Sequence, residues 1–257
     1  MKPKLSIITA SYNSSKSIKE TINSVLHQTI NDFEYIIIDG KSGDNTVEII
    51  RSYEKEFKAR GIDYKWISES DNGIYDAWNK GLLIAKGDWI SFLGSDDSYC
   101  KDAIQTYSEE ISNNELDSFD LIYSNVKVMD GDKHLKTIKG VWSWSIFKRH
   151  MNIAHVGAFH NKAFFIEQGI FNQCYKICGD YELLLRAKDK LKTKKIDKIT
   201  CVMSYGGVSN SNVKCVFKEA LKAKHDTGGL SKIICIYDYY TDFVKYYIRR
   251  LWYAINR

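Results

Sequence analysis

Trp89-Ile90-Ser91-Phe92-Leu93-Gly94-Ser95-Asp96-Asp97-Ser98 is an apolar run of strand length that breaks into a glycine, a serine and two adjacent acids. Strand signals of the same kind recur at Leu5 to Thr9, Glu34 to Asp39, Lys65 to Ile67 and Asp120 to Tyr123, which makes the quoted stretch the fourth of five. Helical signals lie between them. Ser14 and Ser15 can cap a segment in which Ile18, Ile22, Val25 and Leu26 recur on one face, and Asp44 to Thr46 can start another. This βαβ rhythm predicts an open α/β sheet over residues 1–125, with ligands beyond the carboxyl ends of its strands.

The rest of the composition agrees with a folded enzyme-sized body. In 257 residues, 44% hydrophobic side chains supply a core, while 16 glycines and a single proline exclude collagen-like and Pro-rich scaffolds. A formal charge of +5 is too small for a dedicated nucleic-acid binder and suits a local anionic partner instead. Six cysteines, at 100, 174, 178, 201, 215 and 235, show no paired zinc spacing and read as reduced, packed thiols. The N-terminal Met-Lys-Pro-Lys leads straight into a strand, without a secretory core or cleavage site, which predicts a cytoplasmic protein. From Val126 the rhythm fades into Trp142, Trp144, His150, His155 and His160 without a linker. Residues 126–210 are therefore expected to pack on the open end of the sheet and complete a pocket.

The polar residues after each strand are the candidates for chemistry. Thr9-Ala10-Ser11-Tyr12-Asn13 and Asp39-Gly40-Lys41-Ser42-Gly43-Asp44 follow the first two strands. Tyr12 offers an aromatic wall and Asp39 a fixed hydrogen-bond partner for a planar heterocycle, although each segment alone also reads as an ordinary turn. Adjacent Asp96 and Asp97 repel one another unless a positive charge sits beside them. A hard divalent cation bound by one or two carboxylates and substrate phosphates supplies that charge; a capping cluster for the following helix is the alternative. Asp76, Asn79 and Lys80 fall three to four residues apart, as ligand contacts on one helical face or as a solvated ion pair.

The ordered set Thr9 to Asn13, Ile38 to Thr46, Asp71 to Gly81, Gly94-Ser95-Asp96-Asp97 and Gly179-Asp180-Tyr181-Glu182 resembles glycosyltransferase family 2 over about residues 4 to 210. The resemblance implies an α/β GT-A fold, Rossmann-like in its nucleotide-binding half, with a GT-A domain at 1–210 and a helical tail at 211–257. It further implies a nucleotide-sugar donor, UDP by family frequency, a Mg2+ or Mn2+ cofactor and inversion at the anomeric carbon. Carried across by motif, Thr9, Tyr12 and Asp39 hold the nucleobase, Asp71 supports that site, Asp96 meets the ribose and Asp97 the metal, with Asp96 beside it. Ala10, Asn13, Gly40, Asp76, Asn79, Lys80 and Ser95 complete the expected donor side. Asp180 takes the place of the catalytic base, with Glu182 as first substitute. His155 and Ser209, the latter in the loop from Tyr205, are expected near the acceptor or diphosphate. Gly94 stands where the family often has Asp, and Gly179 where many relatives have Glu. At a helix start, Asp180 is expected to stay ionised.

The implied acceptor is a hydroxyl of a glycan or lipid-linked saccharide in surface polysaccharide synthesis. Two rivals are a sugar nucleotidyltransferase, whose Gly-rich phosphate loop is missing, and a catalytically silent carbohydrate-binding scaffold. From Ile233 to Ile255 apolar residues recur at three- and four-residue steps, and residues 231–257 carry five Lys/Arg against Asp238 and Asp242. This amphipathic tail is expected to dock on an anionic membrane at the inner face of the cell; packing on the catalytic body or in a homodimer is the alternative.

Overall fold

The computed structural model describes residues 4–113, 118–207 and 212–255. Its strands are β1 (Leu5–Ser11), β2 (Glu34–Asp39), β3 (Asp63–Ser68), β4 (Trp89–Gly94), β5 (Ser98–Tyr99), β6 (Leu121–Asp130), β7 (Lys133–Ile138), β8 (Ala158–Asn161) and β9 (Thr193–Ser204). The helices are α1 (Ile18–Leu26), α2 (Thr46–Ser52), α3 (Glu54–Ala59), α4 (Ile74–Ile84), α5 (Ala103–Asn113), α6 (Trp144–Phe147), α7 (Lys162–Gln168), α8 (Gly179–Arg186), α9 (Val213–Asp226) and α10 (Lys232–Ile255).

All nine strands form one sheet, in the order β3-β2-β1-β4-β8-β6-β9-β5, with β7 paired to β6. β3, β2, β1 and β4 are parallel, as the helical crossovers between them require. At β4 the pairing turns antiparallel with β8, and β8 is antiparallel to β6. The second half thus extends the sheet rather than resting on its end, and the expected division at 125/126 falls inside β6. A continuous strand crosses it because Val126 and Val128 are as deeply buried as Leu121 and Ile122.

Alternation along the strands builds a core on each face. Ile7, Tyr35 and Ile37 face α1, α2 and α3, where Ile22, Val25, Ile50 and Phe57 meet them. Ile8, Ile36, Ile38 and Phe92 face the other way, onto Trp78 and Leu82 of α4 and Leu184 of α8. Burying each of these side chains contributes about 1.5–3 kcal/mol, so a polar substitution at Ile8 or Ile36 removes the base on which α4 stands. The two cores hold the sheet rigid and leave its carboxyl edge free to carry loops.

Candidate active site

Register places the strand ends together. Ser11 pairs with Asp39, Asp39 with Ser68, and Ala10 with Gly94, so the turns after four parallel strands open on one edge. Asp39 ties them. Its Oδ1 accepts from Ser11 Oγ at 3.0 Å and Ser42 Oγ at 2.6 Å, and its Oδ2 accepts from Ser42 N at 2.9 Å and Ser68 Oγ at 2.7 Å. Four donors fill the acceptor capacity of a carboxylate, so a further donor reaches Asp39 only by displacing one of them. Asp71 lies alongside. Its Oδ1 accepts from Gly73 N at 2.8 Å, and its Oδ2 would be 2.6 Å from a Cβ on Gly40.

Asn13 takes a left-handed backbone with φ of 48°, and its Oδ1 accepts from Gly43 N at 2.9 Å. This twist leaves Tyr12 standing out at 65% exposure beside half-buried Ala10, an aromatic face ready for a base to stack on. Ser95 Oγ lies 2.9 Å from Ser14 Oγ and fastens the acidic turn to the start of the first helix.

Asp97 is buried beside Asp96, with Ser204 N donating to its Oδ1 at 2.9 Å. Burial, and secondarily the Asp96 charge, push its carboxyl up to about 7. Burial also raises Asp96 above the usual aspartate range. The glycine at 94 has a steric reason: a Cβ there would sit 2.6 Å from Asp97 Oδ2 and 3.0 Å from Asp96 Oδ1. The space of the missing first carboxylate is occupied by the other two. Gly207, in the loop after β9, sits over Asp96, whose Oδ2 would be 3.7 Å from an added Cβ. Ser209 lies outside the described residues. No group of three or more His, Cys, Asp or Glu side chains is arranged for a metal among the described residues. A buried carboxylate beside an exposed one does fit a hard divalent cation that completes its shell with phosphate oxygens and water.

Asp180 opens α8 half-buried, with Tyr181 N and Tyr75 OH on its Oδ1 at 2.8 and 3.2 Å. It stays ionised at neutral pH as expected, but with its acidity weakened rather than strengthened. Burial outweighs the hydrogen bonds at the helix start and lifts the carboxyl to about 6, so it remains mostly ionised at neutral pH and is a stronger base than an exposed aspartate. Tyr75 and Glu219 are partners that sequence reasoning missed. Tyr75 OH also donates to Ile177 O at 2.6 Å, and its ring lies where a Cβ on Gly179 would be, 2.7 Å from Cε2. The glycine at 179 is therefore the complement of an aromatic ring 104 positions earlier. Glu219, on α9, accepts from the backbone N–H groups of Lys176, Ile177 and Cys178 at 2.8, 2.9 and 2.9 Å, clasping the turn that presents Asp180.

Several expected site residues serve the scaffold instead. Thr9 is wholly buried and accepts from Tyr35 OH at 3.1 Å. Asn79 is closed by the backbone of Phe171, donating to its O at 2.9 Å and accepting from its N at 3.0 Å. Glu182 pairs with Arg186 at 2.6 Å and accepts from Thr227 Oγ1 at 2.9 Å, which fixes α8 to the end of α9 and leaves it no catalytic freedom. Asp76 accepts from Asn72 N and Gln173 Nε2 at 2.9 and 3.1 Å, while Lys80 pairs with Glu69 at 2.9 Å and approaches Asp76 at 3.8 Å. That pair is the ion pair of the alternative reading, half-buried rather than solvated.

His155 is likewise a packing residue. It is 7% exposed, stacked on Trp78 and Phe92 with ring centroids 5.2 and 5.5 Å away, and burial pushes it down to about 3. His160, 4.8 Å from it between centroids, is lowered by the same cause. Both are neutral in the fold, so unfolding takes up protons below about 6.5, the ordinary histidine value. Their stabilisation is therefore complete above that value and is lost as pH falls from it, by at most about 1.4 kcal/mol per pH unit for each ring. His155→Phe should narrow the gap between urea midpoints at pH 7 and pH 5. An unchanged gap would show that His155 is not held neutral.

Comparison with known proteins bears on this edge of the sheet. A family model described as glycosyl transferase family 2 matches residues 6–168. A PGL/p-HBAD biosynthesis glycosyltransferase of Mycobacterium bovis is 30% identical over 230 residues, which is 86% of this chain and 83% of that protein. Among solved structures, residues 1–349 of Staphylococcus aureus TarS in complex with UDP-GlcNAc superpose with a TM-score of 0.69 at 18% identity, covering 90% of this chain and 69% of that one. The mannosyltransferase PcManGT of Pyrobaculum calidifontis, in complex with GDP-Man and Mn2+, gives a TM-score of 0.68 at 12% identity, covering 93% and 70%.

Proposed function

This chain belongs to glycosyl transferase family 2 and has its GT-A fold, and from that premise we propose that it is an inverting, metal-dependent enzyme acting on a UDP-sugar. The observation that carries the proposal is the placement of Asp97, buried beside exposed Asp96 at the carboxyl end of β4, and of Asp180, whose Oδ1 accepts from the OH of Tyr75, a residue in the first turn of the helix that follows β3. Tyr12 stacks on the nucleobase, and Asp39 and Asp71 shape the turns around it. Asp97 and Asp96 would hold Mg2+ or Mn2+, which would neutralise charge building on the diphosphate.

Asp180 Oδ accepts the proton of an acceptor hydroxyl as that oxygen bonds to the anomeric carbon and the bond from that carbon to the diphosphate oxygen breaks. Attack opposite the leaving group inverts the centre. Tyr75 OH and the Tyr181 N–H aim the carboxylate, and the turn clasped by Glu219 keeps it at the mouth of the site. A well-placed base supplies about 10²- to 10⁴-fold, and the remainder falls to proximity and electrostatics. The acceptor is a glycan or lipid-linked saccharide at the inner face of the membrane; the mycobacterial relative is named for PGL/p-HBAD biosynthesis.

Incubating the purified chain with a panel of nucleotide sugars tests this reading. UDP and free sugar should form slowly with Mn2+ or Mg2+ and not with chelator. Formation of UTP and sugar 1-phosphate once pyrophosphate is added would point to a nucleotidyltransferase, and no product from any donor to a silent scaffold; either result sinks the proposal.

A further inference from the structure

Helix α10 has two faces of opposite character. One is committed to the protein: Cys235 and Asp238 are fully buried, and Phe243 and Tyr246 pack on Phe217 of α9 with centroids 5.9 and 6.2 Å away. Asp238 is gripped by Arg149 and lies 3.6 Å from Lys224, and Asp242 sits 3.2 Å from His150 and 3.9 Å from Lys224. These are the only two acids in residues 231–257, and both are turned inward onto cations of the body. Burial alone would raise Asp238, but Arg149 and Lys224 outweigh it and hold the carboxyl below its ordinary range.

The opposite face is left without acids. Ile233, Tyr237, Tyr240, Val244, Tyr247 and Ile248 are exposed, the first at 80%, and fall on one stripe at steps of four, three, four, three and one. Lys232 and Lys245 are exposed, and by helical spacing they lie on either flank of that stripe. The sequence adds Arg249, Arg250 and Arg257 beyond them. No helix is long and apolar enough to cross a membrane among the described residues, which leaves a helix lying in the interface plane as the membrane geometry open to this segment.

We propose that the outward face of α10 docks the enzyme on an anionic lipid bilayer. Charge decides between a bilayer and a second copy of the chain. Because the inward ion pairs have taken both acids, a two-fold pairing of this stripe would offer Lys232 and Lys245 no acid from the partner's α10. Anionic headgroups answer them, tyrosines suit the headgroup layer, and aliphatic side chains reach the acyl boundary. The placement also serves catalysis: α10 packs on α9, and α9 carries Glu219, which clasps the turn before Asp180. A lipid-anchored acceptor would thus be held on the side of the base. That last consequence rests on the glycosyltransferase reading, whereas docking itself does not.

The test is co-sedimentation of the full chain with vesicles of phosphatidylcholine alone or mixed equally with phosphatidylglycerol. Mixed vesicles should bind at least about tenfold more protein at low salt, with most of it released at about 0.5 M NaCl, where exposed charges are screened. Tyr240→Ser combined with Val244→Ser should lower binding by about tenfold or more, roughly the effect of exposing two interfacial side chains. Metal-dependent donor hydrolysis in solution should be unchanged, which separates failure of docking from failure of the catalytic reading. Equal binding to both vesicles, or full binding by the double variant, overturns the proposal. So does a solution dimer that the double variant dissociates while the parent ignores vesicles.

Discussion

Asp180→Asn is expected to lower glycosyl transfer by roughly 10²- to 10⁴-fold while donor affinity stays within about twofold. Asparagine keeps an acceptor oxygen for the Tyr181 N–H and Tyr75 OH, so the turn retains its shape and loses only the proton acceptor. The pH profile makes the prediction sharper. A base lifted to about 6 must be deprotonated to work, so kcat should rise with pH through that value and level off above it. In the variant that limb should vanish. Stability moves the other way: a carboxyl whose folded value is raised stabilises the fold at low pH, and this is lost as pH rises from its ordinary value through about 6. Removing the charge should therefore leave Tm at pH 8 equal or higher. Unchanged transfer would assign the base elsewhere, and a collapsed Tm would make the lost rate structural.

What the sequence disclosed, and what it hid, follows from the range of the interactions involved. The five expected strands are β1, β2, β3, β4 and β6, legible within one or two residues at most of their ends because their apolar runs are local signals bounded by Gly, Asp and Ser. β6 nevertheless runs on to Asp130, and the two-residue β5 was not foreseen. Nor was β8. Its four residues include His160, which looks polar in sequence and is buried in the sheet. Asp39, Asp96 and Asp97 could be nominated because each ends or follows a strand, whereas Asp180 was nominated by the family resemblance, its position alone reading as a helix cap. Their electrostatics could not, since the helix start at Asp180 was visible but the burial that outweighs it comes from packing of distant segments. Gly179 read as a lost carboxylate; only the Tyr75 ring explains it. Nothing marks Glu219 among the polar residues of α9 as the clasp of a turn some 40 positions earlier. The tail was half legible. Its apolar stripe was clear, but a helical wheel alone does not show that both acids face Arg149, His150 and Lys224. The alternative of packing on the body therefore describes one face of the helix and leaves the other for the docking proposed above.

Asp97→Ala should abolish metal-dependent turnover, with a loss of roughly 10²-fold or more, and Asp97→Asn should do nearly the same. The two variants differ in what they leave behind. Alanine strands the Ser204 N–H, which costs about 1–3 kcal/mol if no water replaces the carboxylate oxygen, whereas asparagine still accepts it. Activity lost in both, with Tm lowered only in the alanine variant, places the effect on the carboxylate charge. Linkage supplies a second reading. With its folded value raised to about 7, Asp97 destabilises the metal-free fold as pH rises from the ordinary aspartate range through neutrality, so Asp97→Asn should raise Tm at pH 8 without added cation. Cation binding favours the ionised carboxylate and reverses that cost, so Mn2+ with UDP should raise the parent's Tm and leave the variant's unmoved. Affinity should also weaken as pH falls below about 7, because protons then compete for Asp97. Near-parental turnover in Asp97→Asn, or equal thermal stabilisation of both proteins by Mn2+, would remove Asp97 from the metal site and leave the raised acidity of the pair as a consequence of burial alone.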